Sequence, residues 1–211
     1  MEFLPEDISK YAEDHTQNES EVLSNLNRET WSNVIMPRML SGHLQGRVLS
    51  MISKMVKPAN ILEIGTYTGY SAICLAEGLL PGGKLITIDI NEELEDLITK
   101  YVQEAGLQNS VELRIGNALE IIPTLSEQPD LVFIDADKEN YLNYYKLVID
   151  KMSSGGVVIA DNVLWSGKVL ENTSDAETEA IKEFNEFVHR DSRVENVLFP
   201  IRDGLMVVRK K

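Results

Sequence analysis

The chain reads as an α/β domain built on a doubly wound, Rossmann-like sheet, mostly parallel, with a C-terminal antiparallel hairpin and a set of N-terminal helices in front. Three observations predict this. Five short apolar runs, ILEIG, KLITIDI, VELRIG, DLVFIDA and GGVVIAD, recur from Asn60 onward at intervals of roughly 20 to 25 residues with helix-like stretches between them, the rhythm of right-handed βαβ units. Two final runs, VENVLFPI and GLMVVRK, are separated only by the turn-like Arg202-Asp203-Gly204. The leading segment carries helical signals and no strand.

Within that segment, residues 1–58, Pro5 opens a first helix, Asn18 caps a second running toward Trp31, and Ser41 caps a third through Met55 that Pro58 stops. Residues 59–211 form the sheet core, with helices predicted over 70–79, 92–105, 118–125, 140–152 and 176–189. Ligands of such sheets gather beyond the carboxyl ends of the strands, so the chemistry is expected there.

With 211 residues, 43% of them hydrophobic and 26% charged, the whole chain is expected to form one domain with a sizeable core. The net charge of −14 argues against nucleic acid or an anionic membrane surface as a partner. Cys74 is the only cysteine, which excludes an internal disulfide and a thiolate cage, and AICLA around it reads as a buried helix face. MEFLPEDISKYAEDH lacks the basic start and apolar run of a signal peptide, so a cytoplasmic protein is expected.

The first predicted strand ends in Glu63-Ile64-Gly65-Thr66-Tyr67-Thr68-Gly69-Tyr70-Ser71. Gly65 permits a sharp turn close to a ligand and Gly69 close packing at the helix start. The spacing is G-x-x-x-G, neither the dinucleotide G-x-G-x-x-G nor a P-loop, so pyrophosphate is not the favoured guest. Exposed N–H groups at the helix start, with Ser71 beside them, suit a carboxylate such as that of a methionine moiety. Asp89 ends the second strand 24 residues after Gly65, where an acid accepts ribose hydroxyls. Ala118, after Gly116-Asn117, suits a flat adenine edge. Each feature has a plainer reading: an ordinary βα turn, and for Asp89 a helix cap. Together they describe an adenosine pocket.

The fourth run presents Asp135, Asp137 and Lys138 as it leaves the sheet, and the fifth presents Asp161 and Asn162 at the same level. Two carboxylates and an amide carbonyl on neighbouring strands suit a hard cation, Mg²⁺ first, with Mn²⁺ and Ca²⁺ as relatives. Strand-end acids are also common turn formers, and Asp137 is better read as a cap for the helix near Glu139. His15, His43 and His189 are scattered and read as surface or helix residues. Lys138, three residues after Asp135, is a candidate general base for an acceptor hydroxyl, since neighbouring positive charge favours the neutral amine. A solvated partner of Asp135 or Glu139 is the alternative.

EIGTYTGYS, ITIDIN, FIDADKENYLNYY and ADNVLWSGKV resemble the metal-dependent catechol and caffeoyl-CoA O-methyltransferases, above all their small bacterial members. The resemblance runs from about Met39 to the C-terminal VVRK, and its last two motifs are the most specific. It implies a class I methyltransferase fold, S-adenosylmethionine (SAM), a divalent metal and a vicinal dihydroxy aromatic acceptor. By resemblance, Asp135, Asp161 and Asn162 match the metal ligands, and Lys138 the proposed base. Met39, Ser41, Glu63, Gly65, Ser71, Asp89, Ala118 and Asp135 match cofactor contacts. Family members more often carry an acidic stretch before the glycine of MLSGHLQG, where this sequence has His43-Leu44-Gln45. That departure bears on the lid and on acceptor preference.

The function expected is thus SAM- and metal-dependent O-methylation of a small catechol-like molecule by a homodimer. Trp165 reads as an aromatic wall for the acceptor or as packing, and Trp31 and Met36 as pocket cover, dimer face or core. The rival readings are a non-catalytic SAM or adenosine sensor, which has no use for Asp135, Lys138, Asp161 and Asn162, and a nicotinamide oxidoreductase, which the missing G-x-G-x-x-G disfavours.

Overall fold

A computed structural model of the chain describes residues 5–172 and 175–211. Residues 1–4, the start of the stretch read as lacking a leader, lie outside them. Three helices come first, α1 (Glu6–Asp14), α2 (Glu21–Asn33) and α3 (Gly42–Val56), followed by β1 (Asn60–Ile64), α4 (Tyr70–Ala76), β2 (Lys84–Asp89), α5 (Glu95–Glu104) and β3 (Val111–Ile115). The second half holds α6 (Ala118–Ile121), β4 (Leu131–Ile134), α7 (Tyr141–Ile149), β5 (Val157–Ala160), α8 (Ala176–Arg190), β6 (Val194–Phe199) and β7 (Leu205–Lys210).

The seven strands form one sheet in the order β3-β2-β1-β4-β5-β7-β6. The first five are parallel; β7 runs antiparallel between β5 and β6, as the final hairpin predicts. Because the chain winds outward from β1 to β3 and then returns to the other side of β1, the topological switch point lies between β1 and β4.

Side chains alternate across a strand, and here both faces are apolar because both are covered. Leu62, Ile64, Val132, Ile134, Val158 and Ala160 pack with Tyr141, Tyr145 and Phe184 from α7 and α8. Their neighbours Ile61, Leu131, Phe133 and Ile159 pack with Leu23, Leu26, Leu49, Cys74 and Leu75 from the α2–α4 side. Cys74 is therefore buried, as AICLA implied. Among the described residues no helix is long and apolar enough to cross a membrane.

Several element starts differ from the sequence reading. Ser20, not Asn18, caps α2, its hydroxyl accepting from the Leu23 N–H at 3.4 Å. Ser41 precedes α3 in helical backbone and its side chain caps nothing. α4 ends at Ala76, short of Leu79. The helix predicted from Asn140 begins as a 3-10 turn at Lys138–Asn140. Asp137 stands at the head of that turn, yet its carboxylate accepts from the side chains of Asn140 and Tyr144, both at 2.5 Å, and not from a backbone N–H.

Candidate active site

The carboxyl ends of the five parallel strands are tied level with one another. Gly65 N–H donates to the Ile88 carbonyl at 2.9 Å, Gly116 N–H to Asp89 at 2.8 Å, Asp135 N–H to Ile64 at 2.8 Å and Asp161 N–H to Ile134 at 3.0 Å. Gly65 adopts φ +97°, and a Cβ there would overlap the Asp135 carbonyl oxygen, so the β1 turn lies directly against the end of β4.

One side of this rim gathers the residues read as nucleoside contacts. Asp89 Oδ2 accepts from the N–H groups of Thr66 and Tyr67 at 2.9 and 2.7 Å, and its Oδ1 from Asn91 N–H at 2.9 Å. The acid thus also holds the glycine turn in shape. The local helix cap falls to Asn91. Ser71 is buried in the first turn of α4, and Ala118 is buried at the start of α6.

Glu63 is fully buried, with Oε2 accepting from Thr87 Oγ1 at 2.5 Å and Oε1 without a protein partner. Burial, aided by the charges of Asp135 and Asp89, pushes its carboxyl up to about 8. A buried carboxyl oxygen with no hydrogen-bond partner in the protein fits a site that a ligand completes.

The N-terminal segment lies on the same turn. Thr30 Oγ1 donates to Thr68 Oγ1 at 3.2 Å, and the Tyr67 hydroxyl lies 3.1 and 3.2 Å from the carbonyls of Ile35 and Met36. Met39 is exposed at the end of the Pro37–Met39 turn, while Ser41 is buried. Trp31 and Met36 are more than half exposed, which removes the core reading for both.

The other side of the rim carries charge. Asp135 and Asp161 directly follow Ile134 and Ala160, which are paired in register, so the two carboxylates leave neighbouring strands at one level. The buried Lys138 ammonium lies 3.2 Å from Asp135 Oδ1, 2.9 Å from Asn162 Oδ1 and 2.5 Å from the Tyr141 hydroxyl. It therefore joins β4 and β5 across their ends. Asp161 Oδ1 accepts from Asn162 N–H at 2.7 Å and Oδ2 from Gln45 Nε2 at 2.6 Å. Burial, and then the charge of Asp135, pushes the Asp161 carboxyl above the usual carboxylate range. Asn162 takes φ +58°, which turns it back toward Lys138.

Asp135 and the Asn162 amide oxygen, which share one ammonium, together with the Asp161 carboxylate at the same level of the neighbouring strand, fit a hard cation in chemistry and number of donors. Among the described residues no group of three or more His, Cys, Asp or Glu stands as a metal cluster; this set is smaller, two acids and an amide. Asp137 is committed elsewhere by Asn140 and Tyr144. His15 stacks on Tyr11, His43 bonds the Gln17 carbonyl and His189 is exposed, so none joins the rim. Trp165 is half-buried, its ring 5.7 Å from the ammonium groups of both Lys138 and Lys168. Sequence reasoning missed Tyr141, Gln45 and Arg202. Tyr141 carried a signal in its i+3 spacing from Lys138, whereas Gln45 stood out only within the departure His43-Leu44-Gln45 and Arg202 only as a turn residue.

A parallel sheet with an antiparallel last pair, and a glycine turn and acids at its carboxyl rim, is the architecture of a class I methyltransferase. The O-methyltransferase family model matches residues 13–211. A caffeoyl-CoA O-methyltransferase of Medicago sativa is 34% identical over 179 residues, covering 79% of this chain and 72% of that one. The Mesembryanthemum crystallinum enzyme of the same name is 37% identical over 180 residues, 79% and 70% of the two chains. The O-methyltransferase from Bacillus cereus, solved in complex with SAH, superposes with a TM-score of 0.90 at 29% identity over 97% of each chain. The chain belongs to the O-methyltransferase family.

Proposed function

We propose that the protein transfers the methyl group of SAM to an oxygen of a small catechol-like acceptor with the help of a divalent cation. The observation that carries this reading is the Lys138 ammonium shared by Asp135 Oδ1 and Asn162 Oδ1, with Asp161 beside them. The glycine turn held by Asp89 and the unpaired Glu63 oxygen support a SAM pocket, as do solved relatives with SAH and with SAM. Relatives named for caffeoyl-CoA support a hydroxylated aromatic acceptor.

Asp135, Asp161 and Asn162 would hold the cation, whose chemistry is to polarise and orient acceptor oxygens as a Lewis acid. In its neutral amine form Lys138 would take the proton from the acceptor hydroxyl, and Tyr141 would keep the amine aimed at that oxygen. Gly65, Ser71, Asp89, Ala118, Met39 and Ser41 would orient SAM, leaving its methyl in line with the attacking oxygen. Such positioning of two reactants is worth roughly 7–11 kcal/mol relative to free encounter. Trp165, which packs against the core and whose ring lies 5.7 Å from the Lys138 ammonium, would offer its free face to the acceptor ring. The exposed apolar side chains of Ile8 and Tyr11 on α1 and Met51 and Met55 on α3 support a homodimer.

The test is incubation with SAM, Mg²⁺ and a panel of catechols, with and without chelator. Methyl ether should form only with metal, and Asp161→Ala should abolish it. Product that persists through both treatments removes the metal from the reading, and SAM binding without turnover of any acceptor removes the catechol.

A further inference from the structure

We infer that Gln45 is a positioning residue that sets the Asp161 carboxylate for its cation, and that Arg202 locks Gln45 in that pose. The inference rests on the proposed metal-dependent reading of the site.

Gln45 lies fully buried near the start of α3 and reaches the rim from the helical side. Its Nε2 is 2.6 Å from Asp161 Oδ2, and its Oε1 is 3.0 Å from Arg202 Nη1. A guanidinium has donors only and a carboxylate acceptors only, so the amide has one orientation that satisfies both. Arg202 therefore dictates that Gln45 offers a donor to Asp161. With Oδ2 held by Gln45 and Oδ1 by Asn162 N–H, rotation of the carboxylate is stopped while each oxygen keeps a free lone pair.

The residue type suits the task. A carboxylate at position 45 would repel Asp161, and an ammonium would neutralise the charge that a cation needs; a neutral amide orients without doing either.

Arg202 sits in the β6–β7 turn at φ +49°, and the same turn secures the surroundings. Arg202 Nη1 also donates to the Ser41 carbonyl and, at 3.3 Å, to that of Leu40, fixing the entry to α3. Asp203 Oδ1 accepts from Ser166 N–H at 2.6 Å, the Asp203 carbonyl from Leu164 at 2.9 Å and the Gly204 carbonyl from Val163 at 3.2 Å. One hairpin turn thereby clamps both the start of α3 and the loop that follows Asn162.

The test is calorimetric titration of Mn²⁺ into the SAM-loaded wild type, Gln45→Met and Arg202→Met, without acceptor. SAM affinity and thermal melting are measured on the same samples. Gln45→Met should weaken Mn²⁺ binding by about 10-fold or more, in the range seen when partners of metal ligands are removed, with SAM affinity unchanged. Arg202→Met, at an exposed position, should weaken Mn²⁺ binding in the same direction and decides the matter if Gln45→Met fails to fold. Unchanged Mn²⁺ affinity in a folded Gln45→Met overturns the inference and leaves the proposed function standing. Parallel loss of SAM and Mn²⁺ affinity in Gln45→Met marks a merely structural role and overturns it too. A wild type that binds no Mn²⁺ overturns both.

Discussion

The Lys138 ammonium lies 2.5 Å from the Tyr141 hydroxyl, which lies in turn 3.0 Å from the main-chain carbonyl of Asp161. Burial, with the charges of Asp135 and Asp161, holds that phenol well above its ordinary value, so it stays protonated, accepts from Lys138 and donates to Asp161. All three ammonium protons are thus engaged, by Asp135, Asn162 and Tyr141. On the proposed reading, a cation held by Asp135 and Asn162 would leave Tyr141 alone to keep the amine in place. Tyr141→Phe should therefore lower kcat more than the KM for SAM. It should also cost about 1–3 kcal/mol in urea unfolding, because it leaves the buried Asp161 carbonyl without its donor.

Lys138→Met keeps the length of the side chain and the contact with the Tyr141 ring, 4.6 Å from the ammonium, but removes the proposed base. Turnover should fall by about 10²- to 10⁴-fold, the usual worth of a positioned general base. SAM affinity, read by calorimetry, should not change. Turnover near wild type would reassign the proton to water.

The parallel sheet was legible because its strands are apolar on both faces and evenly spaced, and the hairpin because Arg202-Asp203-Gly204 is turn-like and lies alone between two strand-like runs. Asp135, Lys138, Asp161 and Asn162 were legible because they sit next to those strands in sequence, where an end of a strand is also an end of the sheet. Gln45 and Arg202 were not, since Gln45 stands 116 positions before the Asp161 it bonds and 157 before the Arg202 that bonds it. No local pattern encodes such a contact. Asn18 was misjudged as a cap for a different reason: Asn18 and Ser20 both suit the role, and only the packing of Leu23 and Leu26 into the core decides where the helix starts.

Glu63 supplies a pH test. Its carboxyl stands at about 8 in the folded protein against 4.5 when unperturbed, so the folded state holds a proton that the unfolded state releases first. The stability associated with Glu63 is therefore complete below about pH 4.5 and is lost as pH rises toward 8, by at most about 1.4 kcal/mol per pH unit, the limit for one proton. Glu63→Gln, which cannot ionise, should flatten the fall in unfolding free energy between pH 5 and 8, measured in chelator without SAM. An unchanged slope would show that Glu63 is not the group that titrates.

Gly65 and Asp89 both shape the turn after β1, yet their substitutions should separate. Asp89→Ala frees the N–H groups of Thr66 and Tyr67 and removes the acid read as the ribose acceptor. SAM binding should weaken by about 1.5–3 kcal/mol, the worth of a charged hydrogen bond, with Mn²⁺ affinity little altered because β4 and β5 are untouched. In Gly65→Ala, the new methyl is driven into the Asp135 carbonyl from a backbone at φ +97°, a strain of about 1–3 kcal/mol before the clash is counted. Relief requires the end of β4 to move, and Asp135 moves with it. Calorimetry on Gly65→Ala should consequently show SAM and Mn²⁺ affinity falling together, whereas a loss confined to SAM would mean that the two halves of the rim shift independently.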